Sequence, residues 1–190
     1  AVINCAAYTD VDGAERDEAT ATEINGAGVA RLVARCDSVG VPLVHYSTDY
    51  VFDGRASAPY ATDRPCDPVN AYGRSKRAGE EHVLASGGRH LLIRTSWLYA
   101  PWGNNFVLTI ARLARERSEL RVVDDQRGRP TSAEHLARLS LALLERGERG
   151  VFHGTDGGAA CTWFDFASAI AETIAPSCTV APCTSDEYPR

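Results

Sequence analysis

Short apolar runs alternate with stretches in which apolar residues recur at helical spacing, and this alternation predicts strands and helices in turn. Val41-Pro42-Leu43-Val44-His45-Tyr46 runs into the small polar trio Ser47, Thr48 and Asp49. A near-continuous run of this kind suits a buried strand of a parallel sheet. Residues 1–7, 91–95, 120–123 and 150–154 read as further strands, and Tyr8-Thr9-Asp10-Val11-Asp12 as the loop leaving the first of them. Between residues 18 and 38, Ile24, Ala27, Ala30, Val33 and Ala34 mark one face of an amphipathic helix. Phe106, Val107, Ile110 and Leu113 mark another, with Asn104-Asn105 as its cap. Thr131 or Ser132 caps a helix running to Leu144, with Glu134 in its first turn, where a carboxylate complements the helix dipole. Residues 162–166 open a last helix, and residues 176–190 read as irregular. Strands alternating with helices predict a doubly wound α/β sheet.

In such a sheet ligands bind beyond the carboxyl ends of the strands. That rule singles out Thr48 and Asp49 after one strand and Trp97 after another. Residues 55–70 carry no element of their own, and loops of that length in a compact domain are usually functional. The loop leads to Asn70-Ala71-Tyr72-Gly73-Arg74-Ser75-Lys76. If these residues are helical, Tyr72 and Lys76 share one face. A nearby ammonium favours phenolate and lowers a tyrosine pKa, which makes a proton donor near neutral pH. On spacing alone, a solvated helix face explains the pair equally well. Asn25 reads either as a surface amide or as a buried group that needs partners. Trp97 reads as a core aromatic or a substrate contact, and residues 125–131 as a surface turn or a polar contact loop.

Composition narrows the picture modestly. With 44% hydrophobic and 24% charged residues among 190, the chain has the make-up of an ordinary soluble globular protein. A formal net charge of -5 argues against a nucleic-acid partner. Six scattered cysteines with no C-x-x-C pair argue against a disulfide framework or a zinc site and predict a cytoplasmic protein. No apolar run reaches membrane-spanning length.

The blocks S-T-D-Y-V-F-D-G, N-A-Y-G-R-S-K-R-A-G-E, R-T-S-W-L-Y and D-Q-R-G-R-P-T carry a family likeness. The chain resembles the extended short-chain dehydrogenase/reductases, and within them the dTDP-4-dehydrorhamnose reductase family, over nearly its whole length. The resemblance implies NADPH- or NADH-dependent reduction of a 4-keto group on a dTDP-sugar. It implies Thr48, Tyr72 and Lys76 as catalytic residues, and Ala7, Tyr8, Thr9, Tyr72 and Lys76 as cofactor contacts. Thr48, Asp49 and Trp97 become the substrate contacts, and Asn25 shapes the active site. It allows a homodimer. Some members use the glutamate matching Glu134 for a metal at a dimer interface; helix capping is preferred here and no metal is expected.

That family carries a glycine-rich turn for the cofactor pyrophosphate ahead of the point where this sequence starts. No G-x-x-G-x-x-G occurs here, so the chain is read as the central part of a longer reductase. The expected fold is thus a Rossmann-type parallel sheet without its first βαβ, with part of a smaller substrate lobe. Residues 1–150 are assigned to the cofactor domain, with 98–130 partly substrate-facing. Residues 151–190 are assigned to the last strand and the partial lobe. Three rival activities share some or all of these blocks. A 4,6-dehydratase normally has glutamate where Tyr50 stands and so lacks its acid here. A related reductase such as a dTDP-dihydrostreptose synthase shares every block. A regulatory subunit like that of methionine adenosyltransferase would bind a partner and catalyse nothing.

Overall fold

The strands Val2–Asn4, Leu43–Thr48, Leu91–Thr95 and Gly150–His153 lie side by side in that order, every pair parallel. The structure is a computed structural model and describes residues 1–188. The middle strands are covered on both faces, which is why they read as continuous apolar runs: Leu43, Val44, Leu91, Leu92 and Ile93 are fully buried. Burial of such a side chain contributes roughly 1.5–3 kcal/mol. Helix Gly28–Ser38 lays Val29, Val33 and Cys36 against Leu43, Leu92 and Val83, the last from helix Ala71–Ala85. The C-terminal half of helix Ala133–Glu145 is tied to the central strand by a 2.8 Å hydrogen bond between the Ser140 and Tyr46 hydroxyls.

The chain divides into two units. The first comprises residues 1–95 and 138–154; the second comprises 96–137 and 155–190. The chain therefore passes between units three times, where a single boundary at residue 150 was expected. In the second unit, strands Glu119–Val123 and Thr179–Cys183 pair in parallel beneath helices Phe106–Glu116 and Trp163–Ile174. Ile110, Ala114, Leu120, Val122, Ala167 and Ile170 form its core. Asn105 and Thr162 cap these helices, accepting from the backbone N–H of Leu108 and Asp165.

Four expectations change. The first strand ends at Asn4, and a short helix, Val11–Arg16, follows where a loop was expected, capped by Asp10. The helix expected over residues 18–38 contains a π turn at Glu23–Ala27. Its extra residue rotates the helix, so Asn25 is buried and Ile24 faces solvent. Within the stretch read as irregular, residues 179–183 form a strand, because pairing with the distant Glu119–Val123 strand stabilises a segment whose Pro182 obscures it locally. The end of that stretch, Pro189 and Arg190, lies outside the described residues. No helix among those described is long and apolar enough to cross a membrane.

Candidate active site

The central strand ends at Thr48, which caps a 3-10 turn over Asp49–Val51. The Thr48 hydroxyl accepts from the Tyr50 backbone N–H and donates to Asp49 Oδ1, both at 3.2 Å. Helix Ala71–Ala85 begins beside this turn. Asn70 caps it by accepting from Gly73 N–H at 2.7 Å, and Glu15 accepts the Ala71 N–H at 2.7 Å. Tyr72 stands edge-on to Tyr50, ring centroids 5.8 Å apart. Gly73 makes this approach possible, since a Cβ there would overlap the Tyr50 carbonyl oxygen. Gly73→Ala should therefore push the Asp49–Val51 turn away from Tyr72. A loss of about 1–3 kcal/mol in denaturant unfolding, with a fall in any turnover, is the expected result.

Asn25 draws a third segment in. It accepts from the Tyr8 N–H at 2.9 Å and donates to the Tyr8 carbonyl at 3.0 Å and to Ser75 Oγ at 2.9 Å. Ser75 in turn donates to the Tyr72 carbonyl at 2.7 Å. Tyr8 and Tyr72 also pack on the same alanine cluster, Ala14, Ala21 and Ala71. The segment of Ala7, Tyr8 and Thr9 is thereby fastened to the helix bearing Tyr72 and Lys76. The surface-amide reading of Asn25 does not hold, because the π turn buries it and all its hydrogen-bonding capacity points inward.

Electrostatics depart from the sequence expectation. Lys76 is buried, and its ammonium donates to the Tyr46 carbonyl at 2.7 Å. Burial brings its pKa down to about 8, against the opposing pull of Glu80. The Tyr72 phenol is pushed up to about 12, first by burial, then by the charge of Asp49 and by Tyr50; the Thr48 hydroxyl pulls the other way. The expected depression of the Tyr72 pKa by Lys76 is thus not what the geometry produces. Asp49 is raised to about 6 by desolvation. Its residue surface is nonetheless solvent-exposed. Protein packed around the carboxyl sets the direction of that shift, and the water reaching it moderates the size. His45, one strand position from Tyr46, is buried and held down to about 3 by burial and by Lys76, so it is neutral.

Beneath these residues lies an ion pair that sequence reasoning missed. Arg94 donates through Nε and Nη2 to the two oxygens of Glu80 at 2.9 and 2.8 Å, both side chains buried. It also donates to the Thr62 carbonyl at 3.0 Å and lies over the Phe52 ring at 5.0 Å. Phe52 stacks on Tyr60 at 4.3 Å. The 55–70 loop is therefore pinned to the sheet and to the tyrosine helix. Burial works against the Glu80 charge, yet the Arg94 hydrogen bonds prevail and lower its pKa. An arginine inside an apolar strand run was the available signal.

In the second unit Trp97 takes a left-handed backbone, and its carbonyl accepts from the Thr131 N–H at 3.1 Å. Its indole stacks on Trp163, another residue not singled out from sequence. In the residue 125–131 loop, Asp125 accepts from both the backbone N–H and the hydroxyl of Ser185, and Gln126 donates to that hydroxyl. Among the described residues no group of three or more His, Cys, Asp or Glu side chains is placed to hold a metal.

The model of the RmlD substrate binding domain matches residues 1–190. The chain belongs to that family. A dTDP-4-dehydrorhamnose reductase of Burkholderia thailandensis is 48% identical over 178 residues, covering 89% of this chain and 59% of that protein. Among solved structures, a dTDP-4-dehydrorhamnose reductase of Clostridium acetobutylicum superposes with a TM-score of 0.95 at 44% identity, covering 100% of this chain and 67% of the other. One from Bacillus anthracis, in complex with NADP, gives 0.93 at 40% identity, covering 98% and 66%. This RmlD-family chain thus spans less than two thirds of the first relatives' length. Its Rossmann-type α/β sheet is that of these reductases.

Proposed function

We propose that this protein reduces the 4-keto group of a dTDP-4-keto-6-deoxyhexose with NADPH or NADH, converting dTDP-4-dehydrorhamnose to dTDP-rhamnose. The observation that carries the reading is that Thr48 and Asp49, at the carboxyl end of one buried parallel strand, sit beside the helix that bears Tyr72 and Lys76. Printed names of relatives support it: reductases of dTDP-4-dehydrorhamnose and of dTDP-4-keto-6-deoxy-D-glucose.

The Lys76 ammonium has three donors and one partner among the described residues, the Tyr46 carbonyl. A buried, under-bonded ammonium fits a ligand rich in hydroxyls, such as the ribose of a nicotinamide cofactor. Ala7, Tyr8 and Thr9 form the neighbouring backbone contact in this reading. When bound, the cofactor supplies hydride. Tyr72 delivers its phenolic proton to the substrate oxygen as negative charge develops there. Its pKa of about 12 keeps that proton loaded at neutral pH. Thr48 turns its hydroxyl from Asp49 to the same oxygen and steadies the charge. Asp49 orients the sugar through its hydroxyls, and Trp97 is a further substrate contact.

The test is NAD(P)H oxidation by the purified full-length protein. Oxidation should depend on a dTDP-4-keto-6-deoxyhexose and drop sharply with a 4-keto sugar lacking the nucleotide. Equal reduction of the free sugar overturns the assignment. So does a protein that oxidises no cofactor with any sugar nucleotide yet binds a partner protein tightly. The alkaline limb gives a second check. Lys76 is charged below its pKa of about 8, so cofactor grip should weaken as pH rises through that value. Tyr72 stays protonated across the same range.

A further inference from the structure

Trp97 is the non-glycine residue recorded with a positive φ among those described, at 49°. A bulky L-residue in that region is strained, and such strain persists only where its surroundings over-determine it. In the second unit they do. The Trp163 indole lies face to face with Trp97, centroids 3.5 Å apart and planes within 11°. Phe106 backs Trp163 at 4.4 Å. Gly128 abuts the Trp97 indole so closely that a Cβ would overlap its Cε2, Cζ2 and Nε1 atoms. Antiparallel pairing of Arg127–Gly128 with Cys161–Thr162 brings Gly128 and Trp163 to this place. Thr162 is itself fixed twice, by its capping box with Asp165 and by donating to Asp124 Oδ1 at 2.7 Å.

We infer that Trp163 and Gly128 are positioning residues that hold Trp97 in its strained, single conformation for the sugar nucleotide, and so set how tightly that ligand is gripped. The inference rests on Trp97 as a substrate contact in the function proposed above. An unsupported indole samples several rotamers and loses that freedom on binding. A stacked one has lost it beforehand, so removing the support costs affinity although no ligand contact is deleted. A contact of this kind contributes equally before and during reaction, and its loss appears in KM.

The experiment combines kinetics with far-ultraviolet circular dichroism, in which two stacked indoles give an exciton couplet. Wild type should show the couplet; Trp97→Phe and Trp163→Phe should each abolish it. Trp163→Ala should raise KM for the sugar nucleotide up to about tenfold, the size of an aromatic pair, with kcat changed much less. Trp163→Phe keeps a stacking face and should recover most of that loss. Gly128→Ala should raise KM as well, although both indoles are intact. The double variant Trp97→Ala/Trp163→Ala should be no worse than Trp97→Ala, because Trp163 acts through Trp97. Additive losses in the double variant, or wild-type KM in both Trp163→Ala and Gly128→Ala, overturn the positioning role while leaving the functional reading intact. A wild type without the couplet overturns the pairing. A wild type that shows the couplet but reduces no sugar nucleotide overturns the functional reading, and the inference built on it falls too.

Discussion

If Tyr72 is the general acid of the proposed reduction, Tyr72→Phe should lower kcat of the full-length protein by about 10²–10⁴-fold, while unfolding stability and cofactor affinity stay near wild type. The substitution keeps the ring, which makes the packing contacts: its edge-on approach to Tyr50 and its place with Tyr8 on the Ala14–Ala21–Ala71 cluster. A purely structural tyrosine would show the opposite pattern, with stability lost and rate retained. Two controls sharpen the result. Thr48→Val should cost less, since it removes one hydrogen bond and leaves the proton source in place. Lys76→Ala should harm both rate and cofactor affinity, because its ammonium is assigned to the ribose and its loss also removes the hydrogen bond to the Tyr46 carbonyl. Steady-state kinetics alongside denaturant titration decides the matter. A Tyr72→Phe enzyme within a few-fold of wild type removes the mechanism.

The second large effect is on stability and sits one helical turn along from Lys76. Arg94→Met strips the buried Glu80 carboxylate of its bidentate partner and frees the Thr62 carbonyl. Breaking a buried pair from one side costs up to about 3–5 kcal/mol, and the Arg77 guanidinium, which also donates to Glu80 Oε2 at 3.3 Å, offsets only part of that. The sign with pH follows from Glu80. Its folded pKa lies below its ordinary value, so the pair's stabilisation is present at neutral pH and is lost as pH falls through the folded pKa. In Arg94→Met that dependence weakens, since Arg77 and Ser47 alone then favour the charged carboxyl against its burial. The double variant Glu80→Leu/Arg94→Met should recover most of the loss. Urea unfolding at neutral and mildly acidic pH reads all three. If Arg94→Met unfolds at the wild-type midpoint, the pair is not what pins the 55–70 loop.

How much of this was legible in the sequence depends on how far apart the interacting residues lie. The strands at 43–48 and 91–95 were plain because burial on both faces leaves nothing but apolar residues to read. The Asn104-Asn105 cap was equally plain, since a cap acts within three residues of itself. Tyr72 and Lys76 do lie on one helix near Thr48. Their electrostatic relation was not legible, because the direction of an ammonium depends on a carbonyl 30 residues away, at Tyr46. Asp49 raises the phenol for the same reason: a fold contact, not a spacing, brings it there. Asn25 stayed open between surface and buried readings because a helical wheel drawn at 3.6 residues per turn misplaces it once a π turn intervenes. The Thr179–Cys183 strand escaped because its partner lies far back in the chain, at Glu119–Val123.

The interleaving of the two units also bears on the order in which the chain leaves the ribosome. Three strands of the first sheet, through Thr95, emerge early. Its fourth strand, Gly150–His153, follows only after residues 96–137 of the other unit have been made. Until then the Leu91–Thr95 strand, apolar through most of its length, has one unpaired edge. At ordinary synthesis rates of about 5–20 residues per second that edge stays open for seconds, long enough for a nascent chain to meet a chaperone or a neighbour on the same messenger. The second unit has the same dependence, since Glu119–Val123 waits for Thr179–Cys183. Neither sheet can finish before the other has begun, so the two units mature together during translation rather than one after the other.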